Sequence, residues 1–236
     1  RYLVRQSKKF RNNYIAISHD TKKYAEKVLG SNAQIAYLKN AISFDKFFTE
    51  IRVLDKSRVL KLINVGSFQK KKNQQFLMDV VNLLVKSGIQ VQLDLLGDGE
   101  HKKDVMQKCE GLGLKEYVNF RGNVKDVPHY LAQSDMYVHS AYYEPFGLVL
   151  LEAMAAGLPV VSLNAGGNAD ITVHGENGYI FPEVNPQEFA TCIQSLSEDA
   201  DLYKRIASKG QELAREYDIS GYTKNLIRLY KESVKN

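Results

Sequence analysis

The chain has 236 residues, of which 44% are hydrophobic and 25% charged, and a formal net charge of +5. This length and ordinary globular composition exclude a disordered chain and fit one large domain, or one domain with an extension. The positive charge is spread over short clusters, which is typical of solvated faces and less often of an anionic partner. Cys109 and Cys192 have neither metal-ligand nor disulfide-framework spacing, so we expect reduced thiols, a cytoplasmic protein and no metal site.

The start of the chain and its apolar runs predict neither a secretion signal nor a membrane-spanning segment. The first residue is Arg1 and the opening ten residues contain no apolar stretch, so we expect no secretion signal and interpret the chain as part of a longer protein. The longest apolar run, at 144–161, is interrupted by Glu152, Gly157 and Pro159 before it could span a membrane.

Short β-rich runs alternate with longer helical patterns along the chain. The strand candidates cover residues 14–18, 34–38, 59–66, 91–97, 117–122, 136–140, 159–163 and 178–181. The helix candidates cover residues 20–29, 72–87, 100–112, 126–133, 148–156, 186–197, 199–216 and 219–234. This alternation predicts an α/β fold with a mostly parallel sheet and helices on both faces.

The loops that follow four of the predicted strands are rich in glycine and charge. They read GSFQKKKNQQ, GDGE, RGNVKD and AYYEPFG. Ligands of parallel α/β sheets bind beyond the carboxyl ends of the strands, so these loops would share one binding edge. A single glycine is equally typical of a tight turn, and LGDGE lacks the GxGxxG spacing of a dinucleotide fingerprint.

The stretch EPFGLVLLEAMAAGLPVV carries two glutamates in an otherwise apolar run. Good helix formers from residue 148, ended by a Gly-Leu-Pro stop, predict a helix that begins just after Gly147. The backbone amides near Phe146, Gly147 and Leu148 would then be unpaired donors at a positive helix end, which suits a phosphate.

Glu144 would lie in the loop before this helix and Glu152 in its second turn. A fully helical span would separate their Cα atoms by roughly 12 Å, so a glycosidase pair of carboxylates is not favoured. Carboxylates also accept hydrogen bonds from sugar hydroxyls, although Glu152 considered alone equally fits an exposed helix position.

This stretch, followed by GGNAD and HGENGYIF, resembles the donor-binding half of the retaining glycosyltransferases of family 4, whose GT-B fold consists of two facing Rossmann-like domains. The two glutamates of the family signature and its F-G and E-A-M-A-x-G-x-P-V-V context are present. The similarity covers nearly the whole chain, because IAISHDTKKYAEKV, LKNAISFDKF, VGSFQKKKNQ and LLGDGEHKKDV follow the family's segments in order.

The resemblance implies a fold class and a domain division. The fold would be a Rossmann-like parallel sheet with helices on both faces, one half of a GT-B fold. We expect residues 1–40 to lead from an N-terminal domain missing from this chain, 41–218 to form the donor-binding domain, and 219–236 to form a helix that crosses back.

The resemblance also implies roles for individual residues. Glu144 and Lys72 would be catalytic: Glu144 beside the donor sugar, and Lys72 neutralising the diphosphate as the glycosidic bond breaks. Taken alone, Lys72 belongs to a lysine triplet that is typical of a solvated loop. Glu152 would hold the ribose hydroxyls. The other donor-binding positions are Phe146, Gly147 and Leu148, Gly66, Ser67 and Gly97, and the base-reading loop of Gly122, Asn123 and Val124.

Two positions depart from the family pattern. Ser67 stands where the family often has an arginine, so one cation instead of two would face the diphosphate unless Lys70 or Lys71 substitutes. Asp170 stands where the family's G-G-x-x-E motif has glutamate, and its side chain is one methylene shorter.

The implied activity of the intact protein is transfer of a hexose, with retention, to a glycan or lipid-linked acceptor in surface polysaccharide synthesis. The donor would be a nucleotide diphosphate sugar, with a UDP-sugar as first candidate, and no cofactor or metal is implied. No protein nucleophile is evident, which favours a front-face mechanism in which the leaving phosphate helps to deprotonate the acceptor. The acceptor would bind through the missing domain, so we expect this chain alone to bind donor with little transfer. The basic balance would aid peripheral contact with the inner membrane face.

Two other functions fit parts of the sequence, and a third fits it poorly. A nucleotide-sugar epimerase of the same architecture would interconvert UDP-sugars. A non-catalytic nucleotide-sugar-binding module, favoured by Ser67 and Asp170, would bind donor without turnover. A nucleic-acid partner is not expected, because aromatic residues are not interleaved with the basic clusters as a base-stacking surface requires.

Overall fold

The computed structural model describes residues 13–30, 33–55 and 57–234, with the backbone alone for 233 and 234. Within these residues the strands are β1 Asn13–Ala16, β2 Gln34–Tyr37, β3 Leu60–Val65, β4 Val91–Leu96, β5 Val118–Gly122, β6 Met136–His139, β7 Val160–Leu163 and β8 Tyr179–Phe181. The α-helices are α1 His19–Leu29, α2 Phe44–Phe47, α3 Gln74–Lys86, α4 Lys102–Gly111, α5 Val127–Ala132, α6 Leu148–Ala155, α7 Pro186–Glu198, α8 Ala200–Glu216 and α9 Ile219–Val234. Short 3₁₀ turns cover Lys70–Lys72 and Gly167–Asp170. The predicted strands and helices are confirmed. The four-residue α2 was not predicted, because it is too short to show a helical period.

Strands β3 to β8 form a parallel sheet, the larger sheet, in the order β5-β4-β3-β6-β7-β8. The chain moves outward from β3 to β5, then returns to place β6 on the other side of β3. The connections that follow β3 and β6 therefore lead to opposite sides of the sheet, and the carboxyl edge between these two strands, called the crevice below, is where such folds bind ligands. The predicted parallel sheet is confirmed.

Alternate residues of the central strands face two separate cores. Leu62 and Val138 belong to the core that α3 and α7 cover, whereas Ile63 and Tyr137 belong to the core that α6 covers. A strand whose successive residues are both buried requires a layer of helices on each side. The expected helices on both faces are therefore confirmed.

Strands β1 and β2 pair in parallel as a separate small sheet, with α1 connecting them. Helix α1 begins at a capping box, in which Ser18 and Thr21 each accept a hydrogen bond from the other's backbone amide. Residues 1–12 of the predicted entry segment lie outside the described residues.

The segment that leads into the larger sheet and the segment that follows its last helix α8 meet at one place. The Ile42 amide donates to the Tyr217 carbonyl at 2.9 Å, and the Ile219 amide donates to the Ile42 carbonyl at 2.9 Å. Asp218 accepts a further hydrogen bond from the Phe44 amide at 3.1 Å. The chain thus enters and leaves this part of the fold at adjacent points.

Helix α9 starts at this crossing and runs beside the small sheet. Its apolar positions Tyr222, Leu226 and Leu229 are half-buried, and Tyr230 is 61% exposed. Leu229 lines two clefts, one with the segment 37–41 and one with residues of β1 and β2. None of the helices among the described residues is long and apolar enough to cross a membrane.

Candidate functional site

The crevice between β3 and β6 holds a close ion pair. Lys72, in the 3₁₀ turn after β3, places its Nζ 2.5 Å from Oε2 of Glu144, in the loop after β6. The side chains are 17% and 13% exposed, so the pair is largely shielded but reachable from solvent. Two residues that the sequence predicted to share one edge of the sheet are therefore in direct contact.

The backbone around Lys72 is fastened to the loop after β6. The Ser140 hydroxyl donates to the Lys72 carbonyl at 2.8 Å, and the Tyr142 amide donates to the Lys71 carbonyl at 2.7 Å. Asn73 has a left-handed conformation, with φ of 50°, and turns the chain into α3. Lys70 and Lys71 are exposed. Lys72 is therefore the member of the triplet that the structure pairs with Glu144.

The backbone of Glu144 pairs with the loop after β7. Its amide donates to the Ala165 carbonyl at 2.7 Å, and its carbonyl accepts from the Gly167 amide at 2.9 Å. A Cβ at Gly167 would lie 2.0 Å from the Pro145 carbonyl oxygen, so this close approach requires glycine. The buried Asn168 side chain accepts from the Ala165 amide and closes the same loop. The loops that carry the motifs EPFG and GGN are thus joined through the backbone of Glu144.

Sequence reasoning missed His139, the last residue of β6. Its ring is 2% exposed, with Nε2 3.8 Å from Oε2 of Glu144, and neither ring nitrogen has a hydrogen-bond partner among the described residues. Burial, with a smaller contribution from Lys72, lowers the pKa of His139 to about 3, so the ring is neutral. The available signal was a polar residue ending a buried strand at the ligand-binding edge.

Helix α6 begins directly after Gly147, as predicted, and no side chain caps its N-terminus. The Phe146 side chain is buried in the core. The backbone amides of Phe146, Gly147 and Leu148 donate no hydrogen bond within the described part of the chain. Free donors at the positive end of a helix are an arrangement that suits an anion.

Glu152 lies in the second turn of α6 and is half-buried. Burial raises its pKa to about 7, although the charge of Lys46 acts in the opposite direction. The buried Tyr137 hydroxyl donates to the Val65 carbonyl at 3.2 Å. Burial raises the pKa of Tyr137, and the charges of Glu144 and Glu152 add to this rise. Tyr137 therefore lies near both glutamates, which the structure does not bring into contact with each other.

The loops after β4 and β5 complete the edge. A Cβ at Gly97 would lie 2.1 Å from the Gly66 carbonyl oxygen, so Gly97 lets two loops of the protein touch. The Gly97 amide donates to the Gly122 carbonyl at 2.8 Å. The Asn123 and Val124 amides donate no hydrogen bond to another described residue. Ser67, beside Gly66, is half-buried and brings no charge to the edge.

Asp170 connects this edge to α1. Its Oδ2 accepts from the His19 amide at 2.6 Å, and its Oδ1 lies 3.1 Å from Nδ1 of His19. The Tyr37 hydroxyl lies 3.5 Å from the same carboxylate, and burial followed by the Asp170 charge raises the pKa of Tyr37 to about 12. The shorter acid therefore has a partner at the start of α1. No cluster of metal-ligating side chains occurs among the residues that the structure describes.

The chain is similar to known glycosyltransferases. It is 28% identical over 211 residues to N-acetyl-alpha-D-glucosaminyl L-malate synthase of Bacillus anthracis, which covers 85% of this chain and 54% of that protein. It is 27% identical to phosphatidyl-myo-inositol mannosyltransferase of Mycobacterium leprae, over 92% of this chain and 58% of that protein. The chain therefore spans about half the length of these curated relatives.

Solved structures share its fold. Anabaena HepE in complex with UDP-glucose superposes with a TM-score of 0.88 and 26% identity, over 98% of this chain and 66% of that chain. The family model described as glycosyl transferases group 1 matches residues 47–213, most of the chain. The chain belongs to the family of glycosyl transferases group 1.

Proposed function

We propose that this chain is the donor-binding part of a retaining glycosyltransferase of family 4 that uses a UDP-sugar. The observation that carries the proposal is the Lys72–Glu144 pair at the crevice of a fold shared with HepE, whose structure contains UDP-glucose. One cation, two carboxylates and a set of free amides fit the parts of such a donor.

Each part of the donor has a matching group. The diphosphate would lie against Lys72 and the free amides at the start of α6. The Glu152 carboxylate would accept hydrogen bonds from the ribose hydroxyls, and Glu144 would accept from the donor sugar. The free amides of Asn123 and Val124, at the end of β5, would read the base.

The proposed reaction transfers a hexose with retention of anomeric configuration. The bond between the anomeric carbon and the diphosphate oxygen breaks as the acceptor oxygen attacks from the same face. The acceptor proton passes to an oxygen of the leaving diphosphate, so no protein nucleophile is consumed. Lys72 stabilises the negative charge that develops on the leaving group.

The acceptor would be a glycan or a lipid-linked glycan held by a second domain, as in surface polysaccharide synthesis. In this division residues 41–218 bind the donor, and 1–40 and 219–236 connect to the other domain. The hydrogen bonds between residues 42–44 and 217–219, and the position of α9 beside the small sheet, support it. The net charge of +5 would aid contact with an acidic membrane face.

Calorimetric titration of the chain with UDP, GDP and ADP tests the donor site. We expect UDP to bind most tightly, and Lys72→Ala to weaken UDP by about tenfold or more, because a charge-assisted contact to the diphosphate is lost. The matched control Lys71→Ala, which removes an exposed neighbouring charge, should stay within about twofold of wild type. Equal losses in the two variants, or no nucleotide binding, would contradict the proposal.

Transfer itself is tested in the intact protein. With UDP-glucose and an acceptor, the anomeric configuration of the product should match that of the donor. Inversion, or donor consumption that yields an epimeric UDP-sugar instead of a glycoside, would contradict the proposed chemistry.

A further inference from the structure

His139 is a buried polar residue to which the reaction described above gives no role. Both ring nitrogens are shielded from solvent and lack a hydrogen-bond partner in the described part of the chain. Buried polar atoms of native proteins are nearly always paired, so an unpaired imidazole beside a functional carboxylate requires an explanation. Its Nε2 lies 3.8 Å from Oε2 of Glu144, beyond hydrogen-bond distance but within about 1 Å of it.

The Glu144 oxygen nearest to His139 is also the one that Lys72 holds. The Lys72 Nζ lies 2.5 Å from this oxygen, so in the free protein the lysine satisfies the carboxylate. A nucleoside diphosphate carries more negative charge than one carboxylate and would draw the lysine toward it. The largely buried Glu144 carboxylate would then lose its cation, and an unpaired buried charge strongly opposes binding.

We propose that His139 is a positioning residue whose Nε2–H becomes the hydrogen-bond partner of Glu144 when Lys72 turns to the diphosphate of the donor. This inference rests on the proposed function and adds a residue to it. The exchange of partners keeps the carboxylate in place for the donor sugar while it frees the lysine for the leaving group.

The surroundings of the ring suit this role. Burial keeps the imidazole neutral, so it can donate a hydrogen bond without competing with Lys72 for the diphosphate. The ring stacks on Tyr137, with centroids 6.1 Å apart and planes inclined by 22°, which limits its rotation. Tyr137 in turn is fixed through its hydroxyl on the Val65 carbonyl. A shift of about 1 Å by the Glu144 side chain would complete the contact.

UDP titration of the 236-residue chain tests the exchange. His139→Phe keeps a planar buried ring but removes the N–H, and should weaken UDP by about tenfold, the effect of a lost partner for a buried carboxylate. His139→Gln retains an N–H and should stay within about threefold of wild type. In a Glu144→Gln background no charge needs the partner, so His139→Phe should then change the UDP affinity by less than about twofold.

The titrations distinguish a failure of the His139 role from a failure of the proposed donor site. Wild-type binding of UDP together with equal binding by His139→Phe, or an equal loss in the Glu144→Gln background, would overturn the role of His139 and leave the donor site standing. Absence of UDP binding by the wild-type chain would overturn the proposed donor site and this inference together.

A measurement without substitution covers the case in which His139→Phe does not fold. In the chain labelled with ¹⁵N-histidine, the proton of His139 should reside on Nε2, and its resonance should move downfield on saturation with UDP as the hydrogen bond forms. A proton on Nδ1, or a resonance that UDP leaves unchanged, would overturn the inference.

Discussion

Replacing Glu152 with glutamine removes a carboxyl group whose ionisation the fold opposes. Burial in the second turn of α6 raises its pKa from 4.5 to about 7. At about 1.4 kcal/mol for each tenfold change in proton affinity, this rise makes the folded state about 3 kcal/mol less stable when Glu152 is charged. Glutamine has nearly the same shape and stays neutral, so Glu152→Gln should stabilise the protein above neutral pH.

The sign and the pH range follow from proton linkage. Below pH 4.5 both the folded and the unfolded chain hold the proton, so the variant and wild type should be equally stable with respect to this group. Between pH 4.5 and 7 the unfolded chain releases the proton first, so wild-type stability falls as the pH rises. Above this range the difference in the free energy of unfolding between the variant and wild type should level off at about 3 kcal/mol. For a chain of this size this corresponds to roughly 6–12 °C in Tm.

Reversible urea unfolding of both proteins from pH 4.5 to 8.5 provides the assay. Glu183→Gln, at an exposed glutamate, is the matched control, and its free energy of unfolding should change with pH as that of wild type does. If the free energy of unfolding changes with pH in the same way for Glu152→Gln and wild type, or if the variant is less stable at pH 8, burial does not oppose the ionisation of Glu152. A stabilised variant that no longer binds UDP would further support the proposed role of this carboxylate on the ribose.

Two other substitutions test the support of the site. In urea unfolding, Gly97→Ala should destabilise the protein by about 3 kcal/mol or more, because its Cβ would collide with a backbone carbonyl. The control Gly113→Ala, where a Cβ meets open space, should cost about 1 kcal/mol. Similar losses of stability in the two variants would contradict the clash at Gly97. Asp170→Ala removes the acceptor at the start of α1, so hydrogen exchange of the α1 amides should accelerate about fivefold while α3 is unchanged. Unchanged exchange in α1 would show that Asp170 does not hold the helix.

The sequence predicted which residues would meet at one edge of the sheet, but not their contacts. Alternating strands and helices imply a parallel sheet, and a parallel sheet gathers its strand ends, so Lys72 and Glu144 were expected in one region. Their direct ion pair depends on β6 lying next to β3, and no local pattern encodes that order. The position of His139 beside Glu144 depends instead on how the loop after β6 folds against the loop after β7, which local patterns also do not encode.

Other features lay outside local reasoning for physical reasons. Gly97 stays a predicted donor-binding position, and the structure adds that it admits the Gly66 carbonyl of the neighbouring loop, a contact that no local pattern encodes. The contact of Asp170 with His19 joins residues 151 positions apart, a separation over which sequence spacing carries no information. The length of α6, by contrast, was predictable, because its start and stop signals are local.

The ion pair between Lys72 and Glu144 has a consequence for selectivity between free phosphate and a whole nucleotide. Because the two charges neutralise each other in the empty crevice, a small anion that reaches the lysine must first separate the pair and receives no help from ribose or base. A nucleotide bound as proposed would make its other contacts at the same time and could therefore displace the carboxylate. Inorganic phosphate should for this reason be a poor competitor of the proposed donor.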